Sequence, residues 1–203
     1  DELVNRGHNV LDVAVSAARA NGSIELLTPP DGADELPIDL ATIETQEIAD
    51  GVWYIGGIRH ASVAVEFEDF VAVIEAPLNE KRAIAVIEEV YRLAPGKPIE
   101  YLVNTHHHFD HAGGVRTFAA EGSTLVTHGD NYEYFRDMVL STAPRILEPD
   151  RYSVFYPDRL RNAIIERVNQ KFAISDGTRS LDVYSVLPFP HVTAMVIAYL
   201  PEE

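Results

Sequence analysis

From Glu44 onward the chain alternates short apolar runs with polar breaks. Val52 to Ile55, Ala61 to Phe67 and Phe70 to Ile74 are rich in β-branched and aromatic residues, and Gly56-Gly57 and Glu68-Asp69 separate them. Runs of that composition between turn residues predict successive strands. The period then changes. Ala83, Val86, Ile87, Val90 and Ala94 recur every three or four residues, which places them on one face of a helix. Asn79 stands where an N-cap is wanted, and Pro95-Gly96 ends the helix. Ile99 to Val103 predicts a buried strand, so strand, helix and strand alternate as in an α/β layer. Val115 to Glu121 then predicts a short helix and Thr124 to Thr127 a strand. Asn131 is the expected cap of a helix carrying Tyr132, Phe135 and Val139, and Leu160, Ile164 and Val168 predict another. Phe172 to Ser175 and Ser180 to Val186, joined across Asp176-Gly177, predict a hairpin, and Thr193 to Leu200 a final buried strand.

Residues 1–43 carry a weaker pattern. Leu11, Val13 and Val15 alternate with Asp12 and Ala14 and predict a strand, although the alanines from Ala14 to Ala20 suit a short helix. Thr28 to Pro37 reads as a linker from its proline, glycine and acid content. The expected organisation is an N-terminal segment over 1–43, the end of an upstream region, and one domain over 44–203. Composition changes this picture little. Of 203 residues, 46% are hydrophobic and 24% charged, as in globular domains with a real core. Charge adds more: 16 basic against 32 acidic residues give −16, which disfavours polyanions. The expected partner is therefore a small-molecule substrate, not nucleic acid or an anionic membrane. Cysteine is absent, which excludes disulfides, a thiolate nucleophile and Cys-type zinc sites. No stretch approaches a membrane span in length. The opening Asp1-Glu2-Leu3, without methionine, leaves export or cytoplasmic residence undetermined.

The chemistry is concentrated in Asn104-Thr105-His106-His107-His108-Phe109-Asp110-His111-Ala112-Gly113-Gly114, directly after a predicted strand. Four potential metal ligands, His106, His108, Asp110 and His111, fall within six residues. Histidine runs also occur in tags and solvated loops, but those do not sit between a buried strand and a Gly-Gly helix start. Imidazole and carboxylate without thiolate suit a catalytic zinc or related divalent ion. In an extended segment, residues i and i+2 point the same way, so His106 and His108 can share one ion while His107 points away. Asp110 and His111 follow where the chain turns toward a helix, within reach of a second ion. Gly113 and Gly114 carry no side chains to crowd that turn. Outside this stretch, His8 reads as a surface residue and His128 as a loop histidine bonded to backbone, with a supporting role behind the metal as the alternative. The aromatics Tyr152, Phe155 and Tyr156, within Pro144 to Pro157, either line a substrate pocket or pack beneath a long loop.

The H-x-H-x-D-H order behind a strand resembles the signature of the metallo-β-lactamase superfamily. So do Gly51-Val52-Trp53-Tyr54, Ala72 to Leu78, and Pro190-His191 before a strand ending Tyr199-Leu200-Pro201. The resemblance runs from about Glu44 to the last residue. It implies an α/β fold, the αββα sandwich, of which this chain holds the first half and part of the second sheet. It also implies that His106, His108 and His191 hold a first metal, with Asp110 and His111 on a second. His191 lies 83 positions beyond His108, so only a fold brings them together. Asp110 is the implied catalytic residue, orienting a metal-activated water, and Glu75 is a candidate for fixing a ligand imidazole from behind, with an exposed strand-end carboxylate as the equal alternative. The implied cofactor is zinc, as one or two ions, with iron or manganese suited to the same donors.

The pattern departs from the family at its end. The family continues past the final strand with an aspartate bridging both metals and a later histidine, whereas here the sequence stops at Pro201-Glu202-Glu203. The expectation is a fragment lacking the C-terminal half, with a mononuclear site on His106, His108 and His191. A homo-oligomer contact or a second chain is expected to cover the incomplete sandwich. The functional expectation is a metal-dependent hydrolase acting on an ester, amide or lactam, or phosphoester. The alternative is a non-catalytic or partner-completed metal-binding module. An iron redox enzyme is disfavoured, because diiron relatives tend to carry a glutamate where this chain has His108.

Overall fold

Seven strands follow one another in chain order across one sheet. β1 (Ile43–Ala49), β2 (Val52–Gly57), β3 (Ser62–Glu66) and β4 (Val71–Ile74) form an antiparallel meander. β5 (Ile99–Val103), β6 (Thr124–His128) and β7 (Ile165–Val168) then add in parallel. A second, antiparallel sheet has the order β10 (Met195–Tyr199), β9 (Ser180–Val186), β8 (Lys171–Ser175). This computed structural model describes residues 41–57, 59–141, 150–155, 163–186 and 190–201. The expected strand from Leu11 to Val15, the linker from Thr28 and His8 lie outside them.

Alternation within the strands builds two cores from one sheet. Trp53, Ile55, Val71 and Val73 face the helices, packing with Ala83, Val86, Ile87 and Val90 of α1 (Glu80–Leu93). Val115, Phe118 and Ala119 of α3 (Val115–Glu121) join them, following the short α2 (Phe109–Ala112). The intervening positions Val52, Val65, Ala72, Val103, Val126 and Val168 face Ile174, Leu181, Val183 and Val196 of the second sheet. The layers therefore run helix, sheet, sheet. This is the expected α/β class, with the first half of an αββα sandwich and part of its second sheet. Asn79 caps α1 as expected, its Oδ1 accepting from Arg82 N at 3.0 Å.

Several expectations change. Asn131 stands at the N-cap of α4 (Tyr132–Tyr134), but its side chain makes no capping bond, because the helical path already begins with a 3-10 turn at Gly129–Asn131 and continues into the π turn Phe135–Val139. The Asn131 Nδ2 instead donates to Ala194 O at 3.1 Å. Ile164 and Val168 do not share a helix: Ile165–Val168 is β7, with Val168 buried between the sheets and Ile164 exposed. The four-residue spacing fits a helix face, but parallel pairing with β6 draws Ile165–Val168 into a strand and leaves Ile164 just before it on the surface. Leu160 lies outside the described residues. The last strand is shorter than expected and is an edge strand. Val196 is buried, but Ile197 and Tyr199 are exposed.

Tyr152 packs in the helix–sheet core rather than lining a pocket. It lies on α5 (Arg151–Phe155), its hydroxyl donating to Leu140 O at 2.9 Å and its ring 4.4 Å from the Arg116 guanidinium carbon. Arg116 is itself buried on α3 and binds the Asp150 carboxylate through Nε and Nη2, the latter 3.0 Å from Oδ1. It also donates to the carbonyls of Val139 and Ser141. Asp150 Oδ1 in turn accepts from Ser153 N at 2.9 Å. Burial pushes the Asp150 carboxyl up, but Arg116 and Ser153 outweigh it and hold it down at about 2.

Asp150→Asn leaves a buried guanidinium without its counter-charge, and a loss of roughly 3–5 kcal/mol at neutral pH is expected. Because the folded carboxyl lies below its unfolded value of about 3.9, its contribution is present above that value and lost as pH falls toward 2. Urea denaturation of both proteins is expected to show a wide stability gap at pH 7 that narrows below about pH 4.

Candidate metal centre

The centre forms where β5 runs out of the sheet. Asn104 is buried, and its Nδ2 donates to His111 O at 2.9 Å, folding the motif back on itself. His108 occupies the N-cap of α2, its carbonyl accepting from His111 N at 2.9 Å and Ala112 N at 2.8 Å. The turn after α2 needs glycine: a Cβ on Gly113 would lie 2.0 Å from Leu78 O. Glu75, just beyond β4, has a left-handed φ of 71°. Its Oε1 accepts from Thr105 N at 2.7 Å, and its Oε2 is hydrogen-bonded to His111 Nδ1. Of the two readings of Glu75, the one that fixes an imidazole from behind is the one these bonds support.

His106, His108 and His191 come together despite their separation in sequence. Their ring centroids are 4.8 Å apart for 106–108, 4.8 Å for 108–191 and 5.1 Å for 106–191. Val196 N donates to Thr105 O at 2.9 Å, which anchors the segment bearing His191 beside the motif. His106 is buried, with Nδ1 2.9 Å from Thr105 Oγ1 and Nε2 3.3 Å from His191 Nε2. His107 turns to Tyr134, ring centroids 5.5 Å apart.

Three further groups lie alongside. Asp110 Oδ2 lies 3.7 Å from His111 Nε2 and 3.2 Å from His60 Nε2. The His106 and His111 rings are 4.2 Å apart, so the two sets adjoin. His60 was not anticipated. It lies in the β2–β3 connection, where no spacing relates it to the motif. Arg82, buried on α1, positions it by donating through Nη2 to His60 O at 2.8 Å and through Nη1 to Thr42 O at 2.7 Å. A charged residue on the apolar face of α1 was the one available sign. His128 stands apart, with Nε2 3.1 Å from Ser185 Oγ and Nδ1 accepting from Asp130 N.

The donor chemistry fits a divalent ion. Metal–nitrogen bonds of about 2.0–2.1 Å at tetrahedral angles put donors roughly 3.3 Å apart, close to the 3.3 Å between the nitrogens of His106 and His191. Within each set, His106, His108, His191 and His60, Asp110, His111, the donor atoms all lie within 4.8 Å of one another. Burial first, then the neighbouring rings of His111, His108 and His191, holds His106 at about 3, and burial and His191 lower His108. Both rings are therefore neutral near pH 7, the state that binds metal. His111 differs: its bond to Glu75 outweighs burial and raises its pKa. Burial pushes Asp110 up, but His111, a backbone amide and His60 outweigh it and keep the carboxyl below its usual range.

Comparison with known proteins assigns the family and the fold. The profile of the metallo-β-lactamase superfamily matches residues 55–191. The chain belongs to the metallo-β-lactamase superfamily. Among solved members of this superfamily, a metallo-β-lactamase from Pontibacter korlensis shares the fold at TM-score 0.58 and 16% identity, over 79% of this chain and 68% of that one. The metallo-β-lactamase FIM-1 from Pseudomonas aeruginosa, in a mono-zinc form, gives TM-score 0.54 and 21% identity over 79% of this chain and 65% of that one. A linear primary-alkylsulfatase of a Pseudomonas species is 30% identical over 71 residues, 34% of this chain. The matched stretch is 10% of that relative's length.

Glu75→Gln removes the charge behind His111 and is expected to weaken zinc binding about 10–100-fold at pH 8. Because Glu75 raises the His111 pKa, protons compete with metal there, and affinity falls as pH falls through that raised value. In the variant this decline is expected at lower pH. Competition against a chromophoric chelator across a pH series measures both effects.

Proposed function

We propose that this chain carries the catalytic centre of a metal-dependent hydrolase. In this reading His106, His108 and His191 hold one divalent ion, and Asp110 and His111 contribute to a second. Zinc is the favoured ion, and iron or manganese suits the same donors. The observation that carries the reading is the approach of His191 Nε2 to 3.3 Å from His106 Nε2, across 85 residues of chain. When bound, such an ion polarises a substrate oxygen and activates water for attack.

The chain's own groups supply the rest. Thr105 Oγ1 engages Nδ1 of His106 and Glu75 engages Nδ1 of His111, which leaves both Nε2 atoms facing the cluster. Asp110, kept ionised by His111 and His60, accepts a hydrogen bond from the attacking water and aims it. His191 is exposed and Asp110 partly so, which leaves the centre open to a small-molecule substrate. Carboxylic esters, amides or lactams, and phosphoesters suit this chemistry. The stretch shared with an alkylsulfatase adds sulfate esters to that class. The net charge of −16 argues against polyanionic substrates.

The test is metal analysis with hydrolysis of a chromogenic ester, a cephalosporin, a phosphodiester and an aryl sulfate. At least one is expected to turn over, with a loss of about 100-fold or more on chelation or on His106→Ala. Bound metal with no turnover across the panel replaces the reading with a metal-binding module, and a chain that binds no metal removes it.

A further inference from the structure

We infer that His60 is a third protein ligand of the second cation position, completing a set with Asp110 and His111. The inference rests on the metal-dependent reading above and extends it to a residue outside the histidine motif. Three observations carry it. Asp110 Oδ2 is a shared vertex, 3.2 Å from His60 Nε2 and 3.7 Å from His111 Nε2, both near the roughly 3.3 Å edge of a tetrahedral site. The His60 and His111 rings stand edge to face at 88°, with centroids 5.4 Å apart, and each presents its Nε2 to the carboxylate. The third observation concerns what else holds the His60 ring. Nδ1 is buried and has no hydrogen-bond partner among the described residues, so the contact with Asp110 is the ring's one described polar interaction.

The backbone around His60 is built to deliver that ring. Arg82 is buried in the helix–sheet region and donates to His60 O at 2.8 Å. A Cβ on Gly57 would lie 1.9 Å from Arg82 Nη1, so glycine at the end of β2 leaves room for the guanidinium where it stands. A buried guanidinium is expensive to desolvate. Here it spans Thr42 O and His60 O, clamping the β2–β3 connection beside the motif. A histidine that met only solvent would need no such clamp.

A ring that merely orients Asp110 by hydrogen bonding is the competing account, and two variants separate them. Glutamine keeps a side-chain donor toward Asp110 but is a poor replacement for an imidazole ligand, whereas alanine removes both. Cobalt(II) titration of the full chain, read by its visible spectrum and by equilibrium dialysis, is expected to show two ions per chain. His60→Gln and His60→Ala are each expected to keep the first and to weaken the second by about tenfold or more. His191→Ala is expected to weaken the first. If glutamine retains the second ion while alanine loses it, His60 is a positioning residue and the inference is overturned. It also falls if both variants bind cobalt as wild type does, while loss of binding in His191→Ala leaves the proposed function standing. A wild type that binds no cobalt removes both. Should both His60 variants fail to fold, the imidazole 15N spectrum of the wild type decides. Metal addition is expected to shift His60 Nε2 together with His111 Nε2, and an unmoved His60 resonance overturns the inference.

Discussion

The carboxylate of Glu75 accepts hydrogen bonds from Thr105 N and from the ring of His111, and the shape of the imidazole cluster depends on both. Glu75 adopts a left-handed backbone, φ 71°, which for a non-glycine residue costs on the order of 1–3 kcal/mol. Each hydrogen bond to a charged group contributes about 1.5–3 kcal/mol, so the pair outweighs the strain. The neighbouring backbone tightens the same joint. Ala76 N donates to His111 O at 3.2 Å, and Gly114 N donates to Ala76 O at 2.8 Å. The segment after β4 therefore holds α2 from outside while Asn104 holds it from inside. The histidines of the motif are positioned by these contacts rather than by their own short helix.

The remote histidine depends on a different constraint, the packing of one sheet on the other. Val103 and Val126 of the large sheet meet Val183 and Val196 of the small one in a single buried cluster. Val196 is both a core residue and the donor to Thr105 O, so the apolar contact and the backbone bond set the same register. A slip of one residue in β10 would turn Val196 outward and Ile197 inward. It would also carry His191 out of line with His106. The cluster thus reports on the sandwich as a whole, which is why no local reading of the motif accounts for it.

The parts of this fold legible in the sequence are those governed by periodicity. β2 to β5, α1 and the β8–β9 hairpin follow from alternation, helical spacing and turn residues. The motif histidines were legible because their spacing maps onto an extended segment. Other features depend on contacts that spacing does not encode. The spacing of Ile164 and Val168 suits a helix, and parallel pairing of β7 with β6 overrides it. Asn131 has the composition of a cap, yet the 3-10 turn at Gly129 moves the helical start ahead of it. Tyr152 sits in an irregular, aromatic stretch, but Arg116 and Leu140 draw it into the core. His60 was illegible for the same reason: its neighbour is Asp110, fifty positions away, and its backbone is held by a buried arginine on α1.

The electrostatics of the cluster divide it in two. Burial and mutual repulsion keep His106 and His108 neutral, so that side presents lone pairs without having to shed protons. On the other side Glu75 raises His111, and His111 with His60 lowers Asp110, a chain in which each charge has a counterpart. A cation entering the neutral side meets little proton competition near pH 7, whereas one entering the acidic side displaces the proton that Glu75 helps His111 to hold. The two positions are therefore inequivalent before any ion arrives. Under the proposed function, that inequivalence would favour filling of the histidine side ahead of the carboxylate side as pH rises.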